Sequence, residues 1–114
     1  MSEIITLCDA WAFRRAYHKG KSVVSPELVT YVIKNKQNNL RIGITTGKKI
    51  GKAVLRSRAR RVIRAAFREV MSDSELKCSG YDIIFVARGK TPFVKSTYLS
   101  KVMKKQLKES NILL

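Results

Sequence analysis

The chain has 114 residues, 45% of them hydrophobic, and carries 24 Lys and Arg against 8 Asp and Glu, a formal charge of +16. That apolar content suits one domain with a single core, and the charge exceeds what solubility needs, so an anionic partner is expected. Cys8 and Cys78 are too few and too far apart for a disulfide framework or a zinc site, no run approaches the roughly 18 apolar residues of a membrane span, and MSEIITLCDAW lacks the basic-then-apolar layout of an export signal. A cytoplasmic protein with two core thiols is the expectation.

Thr6 followed by Asp9 predicts a capping box opening a helix over Leu7 to Lys19, with Gly20 suited to a left-handed C-terminal cap. Phe13 and Tyr17, four apart, share one face of it; Arg14, Arg15, His18 and Lys19 make the rest basic. The two rings can pack on a sheet or serve as a stacking platform for single-stranded nucleic acid. His18 is assigned no chemistry. Lys21 to Ser25 reads as a short extended piece punctuated by Pro26, and LVTYVIK (Leu28 to Lys34) as a strand with Leu28, Thr30 and Val32 on one face and Val29, Tyr31 and Ile33 on the other. Both faces carry bulk, which suits a sheet with helices on one side and a partly apolar groove, including Tyr31, on the other. A polar turn over Asn35 to Asn39 then predicts a hairpin with LRIGITT (Leu40 to Thr46).

The stretch from Lys48 to Arg68, KKIGKAVLRSRARRVIRAAFR, holds nine Lys and Arg and no acid. Gly47 and Gly51 bracket Lys48 and Lys49 in a loop, and the apolar spacing reads as an amphipathic helix whose core face is Leu55, Ala59, Val62, Ile63, Ala66 and Val70, with Phe67 at its edge. Arg60, Arg64 and Arg68 at i, i+4, i+8, joined by Arg61, are expected to share the opposite side. Like charges so spaced cost a helix roughly 0.2–0.5 kcal/mol per pair, and no acid offsets them. Arginine forks match phosphate bidentately and stack on bases, so a polyanion fits this face better than solvent alone. The eight-residue pattern of a nucleotide-binding P-loop is absent. After a break over Ser72 to Gly80, YDIIFVA (Tyr81 to Ala87) reads as an apolar strand, Arg88 to Pro92 as a turn, and Thr97 to Lys108 as a helix with Leu99, Val102, Met103 and Leu107 inward and a solvated basic back. The order predicts an α/β sandwich. The acids are scattered, and no metal-ligand spacing or nucleophile constellation occurs, so unaided catalysis is not expected.

Across these elements the sequence resembles the protein subunit of bacterial ribonuclease P, in the KKIG loop followed by an Arg-rich helix, the aromatic WAFRRAYHKGKSV segment, and the LVTYVIK, LRIGITT and YDIIFVAR strands in order. The resemblance implies a four-stranded, mainly antiparallel sheet packed with three helices and a left-handed βαβ crossover. It implies a non-catalytic subunit that binds a catalytic RNA and helps remove the 5′ leader of precursor tRNA. Mg²⁺ would be bound mainly by the RNA, with none held by the protein alone, and neither a membrane nor a dedicated protein partner is implied. On the matching positions, Phe13, Tyr17 and Tyr31 would line the leader cleft. Lys48, Lys49, Lys52, Arg56, Ser57, Arg58, Arg60, Arg61, Arg64 and Arg68 would contact RNA. Ser57 and Lys52 stand where the family has Asn; Ser57 offers a hydroxyl in place of an amide's paired donor and acceptor. A ribosomal-type protein using the same basic helix without a leader cleft is the alternative reading. Binding of the helix to a membrane surface is weaker still, since its apolar face is Ala-rich.

Overall fold

Strand β5 (Tyr81–Ala87) is apolar almost throughout because it lies inside the sheet and is covered on both faces. It pairs in parallel with β4 (Leu40–Thr45) and antiparallel with β3 (Leu28–Lys34), which pairs antiparallel with β2 (Lys21–Ser25). In the computed structural model, which describes residues 4–6, 10–36, 40–73 and 80–110, this four-stranded sheet gains a three-residue edge strand, β1 (Ile4–Thr6), parallel to β4. The helices are α1 (Ala10–Lys19), α2 (Ala53–Asp73) and α3 (Ser96–Glu109). The α+β sandwich of three helices on a mainly antiparallel four-stranded sheet is therefore present, with β1 as an addition that the sequence reading did not anticipate.

The predicted hairpin between residues 28–34 and 40–46 does not form, because β5 inserts between β3 and β4. The hairpin is instead β2 with β3, where Ser25 pairs Leu28 around the two-residue Pro26-Glu27 turn. β4 and β5 are neighbours through the crossover helix α2.

Side-chain alternation sorts the core into two layers. On one face, Ala59, Ile63, Ala66, Phe67 and Val70 of α2 and Leu99, Met103 and Leu107 of α3 pack on Leu28, Val32, Leu40, Ile83 and Phe85. The Phe67 and Phe85 rings meet at 5.7 Å. On the other face, Ala12 and Ala16 let α1 lie close on Ile84, with Phe13, Tyr31, Ile33 and Val86 around them. Each face also holds a polar clamp. Gln106 of α3 is buried, accepts from the Thr30 hydroxyl at 2.6 Å and donates to the Leu28 carbonyl at 2.9 Å and Ser25 Oγ at 3.0 Å, tying α3 to the β2–β3 hairpin. Asp82, fully buried, accepts from Arg41 Nε and Nη2, each at 2.7 Å, and from Asn35 Nδ2 at 2.8 Å.

Gly20 follows α1 as expected but for another reason. Among the described glycines only Gly51 and Gly80 have positive φ, and Gly20 is not left-handed. A Cβ there would lie 2.4 Å from the Ala16 carbonyl oxygen and 3.1 Å from that of Val32, so the glycine permits a close approach of the helix end to β3. Thr6 belongs to β1, while the proposed helix start at Leu7, the Asp9 half of the capping box, Cys8, Cys78 and much of the 72–80 break lie outside the described residues. No helix among the described residues is long and apolar enough to cross a membrane.

Candidate nucleic-acid interface

The basic stretch is a turn followed by a helix, with Lys48 and Lys49 in the segment bracketed by Gly47 and Gly51. Lys48–Ile50 form a single 3-10 turn anchored by the buried Ile50, with Lys48 and Lys49 exposed. The chain then breaks at Gly51, whose φ of 131° disfavours any side chain and where a Cβ would meet Leu55 Cδ1 at 2.8 Å. The first α-helical bond runs from the Arg56 amide to the Lys52 carbonyl at 3.1 Å, and α2 continues to Asp73. Lys52 is exposed beside an N-terminus whose own dipole is positive, so the start of α2 concentrates cationic character.

Along α2 the cations divide by rotation. Ala59, Ile63, Ala66 and Val70 are buried; Arg61, Arg64 and Arg68 are exposed on the side away from them, and Arg58 is also exposed. Arg56, Ser57 and Arg60 are half-buried. Arg60 departs from the expected common face: its Nη1 donates to Thr46 Oγ1 at 2.6 Å, which draws the guanidinium toward the end of β4. Three of the four arginines expected on one side present free-standing charge to solvent, and the fourth is anchored to the sheet.

The aromatic residues come together on the α1 face. Tyr17 from α1 and Tyr31 from β3 meet edge to face with centroids 4.9 Å apart, and Phe13 lies 6.4 Å from Tyr17 at a 50° tilt. Phe13 and Tyr31 are half-buried, whereas Tyr17 is 39% exposed. The rings thus pack on the core and still offer edge and face outward, combining the two roles the sequence left open. The Tyr17 hydroxyl shares a hydrogen bond of 2.9 Å with Thr45 Oγ1. Next to the Tyr31–Ile84 pairing, Val24, Val29, Val86 and Thr45 are successive register partners across four strands. None of these four is fully buried, and Val24 is largely exposed, so they form a partly open apolar floor beside the rings. Trp11, 59% exposed with the Arg15 guanidinium 5.9 Å over its ring, lies on the opposite flank of α1 from Phe13 and Tyr17 and is not part of this cluster.

Sequence reasoning identified the rings and cations but not Thr45 and Thr46, which connect them. Their signal was present in LRIGITT: a strand ending in two adjacent hydroxyl residues sends one to each face of the sheet. Among the described residues no group of three His, Cys, Asp or Glu forms a metal-holding cluster.

An Arg-rich helix on one layer and a partly exposed aromatic cluster on the other, each hydrogen-bonded to the same end of β4, define an α+β protein suited to a polyanion with stacking bases. The ribonuclease P family model matches residues 1–111. The ribonuclease P protein component of Clostridioides difficile (strain 630) is 40% identical over 100 residues, covering 88% of this chain and 86% of that one. The structure of the Staphylococcus aureus RNase P protein superposes with a TM-score of 0.79 at 29% identity, covering 98% of this chain and all of that one. That of the Thermotoga maritima RNase P protein gives 0.70 at 27% identity, with 85% and 89% coverage. The chain belongs to the ribonuclease P protein family. Its role is that of the protein subunit of a ribonucleoprotein endoribonuclease acting in tRNA 5′ maturation, in association with the ribonuclease P RNA.

Proposed function

We propose that the two basic and aromatic surfaces divide the work of the subunit: the outer face of α2 holds the catalytic RNA, and the groove beside α1 holds the single-stranded 5′ leader of precursor tRNA. The observation that carries this reading is that Tyr17, packed against Phe13 and Tyr31, and Arg60 are hydrogen-bonded to the adjacent residues Thr45 and Thr46 at the end of β4. A leader strand needs both elements: π faces for its bases and cations for its phosphates. Stacking contributes about 1–3 kcal/mol per base and tolerates any sequence, since every base has a π face. That tolerance matches a substrate class whose leaders differ.

Arg56, Ser57, Arg58, Arg61, Arg64 and Arg68, with Lys48, Lys49 and Lys52 at the helix start, supply phosphate contacts. Each arginine contact can be bidentate. The hydrolytic Mg²⁺ belongs to the RNA partner in this reading, because the exposed face of α2 is cationic and Asp82, a carboxylate on the α1 face of the sheet, is buried and occupied by Arg41. The protein's own contributions are positioning of the leader and reduction of phosphate repulsion where RNA and substrate meet. Mature tRNA lacks the leader and loses the groove contacts, which favours substrate over product.

The test is cleavage of a precursor tRNA at low Mg²⁺ by a bacterial ribonuclease P RNA, with wild-type protein and with Phe13→Ala plus Tyr17→Ala. Wild-type protein is expected to stimulate cleavage and the double variant to lose most of that stimulation. Undiminished stimulation by the double variant would remove the rings from the leader path.

A further inference from the structure

We infer that Thr45 and Thr46 are positioning residues that fix the groove's ring and its cation to one rigid strand end. The inference rests on the leader-groove reading and adds to it the device that sets the groove's geometry. Thr45 is the last residue of β4, in register with Val86 of the central strand, and Thr46 follows it directly. Adjacent side chains of an extended chain point to opposite faces. Thr45 accordingly meets the α1 layer, where its Oγ1 lies 2.9 Å from the Tyr17 hydroxyl. Thr46 meets the α2 layer, where its Oγ1 accepts from Arg60 Nη1 at 2.6 Å.

Tyr17 and Arg60 both carry long side chains on helices that lie on opposite sides of the sheet. Without the threonine hydroxyls nothing shown in the structure ties the Tyr17 oxygen or the Arg60 guanidinium to the other's layer. With them, ring and guanidinium are each one hydrogen bond from the same two-residue segment. β4 is held in turn by the full ladder with β5, so the spacing between a stacked base and a paired phosphate is set by the sheet. A single strand of RNA gains from such pre-setting because it is itself flexible and loses freedom on binding. The Tyr17–Thr45 bond also holds the ring edge-on to Tyr31, leaving its orientation determined from two sides.

The test measures the ratio of precursor to mature tRNA affinity in the reconstituted holoenzyme for Thr45→Val, Thr46→Val, the Val double variant and the two Thr→Ser variants. Val keeps the shape and removes the hydroxyl; Ser keeps the hydroxyl. Each Val substitution is expected to lower precursor affinity about threefold to tenfold, the range of one lost hydrogen bond, with mature tRNA affinity and assembly with the catalytic RNA unchanged. Ser variants are expected to recover most of the loss. Tyr17→Phe combined with Thr45→Val should be no worse than either alone, since both remove the same bond. Val variants that keep the wild-type ratio, while Phe13→Ala plus Tyr17→Ala loses it, would overturn the positioning role and leave the groove standing. A ratio unchanged in the ring variant as well would overturn both. Equal losses for precursor and mature tRNA, or no recovery with Ser, would show a packing role and contradict the inference.

Discussion

Asp82 is a fully buried carboxylate held by two Arg41 donors at 2.7 Å and by Asn35 at 2.8 Å. Removing one partner of such a pair strands a charge, so Asp82→Ala is expected to cost about 3–5 kcal/mol in urea unfolding. A loss below about 1 kcal/mol would mean the site rehydrates. Gln106 has the same character without charge: Gln106→Ala leaves the Thr30 hydroxyl and the Leu28 carbonyl without their partner, an expected loss of about 1–3 kcal/mol by the same measurement. Neither residue was singled out from the sequence. Both sit where a simple pattern reads "polar", and only long-range pairing, 41 residues for Arg41 with Asp82 and 76 for Thr30 with Gln106, turns them inward. The rings Phe13, Tyr17 and Tyr31 were legible because i, i+4 spacing and strand alternation are local. That Tyr17 bonds to Thr45, 28 residues away, was not.

At the scale of elements, apolar patterning located α2, α3, β3, β4 and β5, because a face that must be buried leaves its mark in consecutive residues, while end signals at Gly20 and Pro26 marked α1 and the extended piece that is β2. Strand order is a different kind of information. YDIIFVA is apolar on both faces and needs neighbours on both edges and cover on both sides, which puts it between β3 and β4 and breaks the hairpin that chain order suggested. The break at Gly51 shows how one residue sets an element boundary: the Lys48–Ile50 turn, a φ of 131° and the contact with Leu55 separate the lysine loop from α2. Gly51→Ala places a side chain in that backbone region, with an expected cost of about 1–3 kcal/mol in thermal or urea unfolding and a fall in RNA affinity as Lys48 and Lys49 shift. A variant as stable as wild type, with unchanged affinity, would show that the turn relaxes without consequence. Gly20→Ala tests the other close approach, where the Ala16 carbonyl is 2.4 Å from the added Cβ, and should loosen the end of α1 that carries Tyr17.

For the molecule as a whole, a charge of +16 on 114 residues is relieved by an RNA partner, and the sorting of that charge follows the layers of the fold. Arg61, Arg64 and Arg68 stand exposed on α2, while Arg60 is tied to the sheet beside the groove. Affinity for the catalytic RNA should therefore fall log-linearly with salt. Replacing one exposed arginine, such as Arg64→Ala, is expected to flatten that line by about 0.7 to 0.9, the slope of one phosphate contact. The leader-dependent part of substrate affinity should respond to the rings instead. On the proposed division of surfaces the two dependences should separate, because α1 and α2 lie on opposite faces of the sheet. The most direct measurement is the affinity of the reconstituted holoenzyme for tRNA substrates whose 5′ leader grows from no nucleotides to several, with wild-type protein and with Phe13→Ala plus Tyr17→Ala. Affinity that rises with leader length for wild type and stays near the leaderless value for the double variant is the predicted result. An equal rise for both proteins would contradict the leader groove.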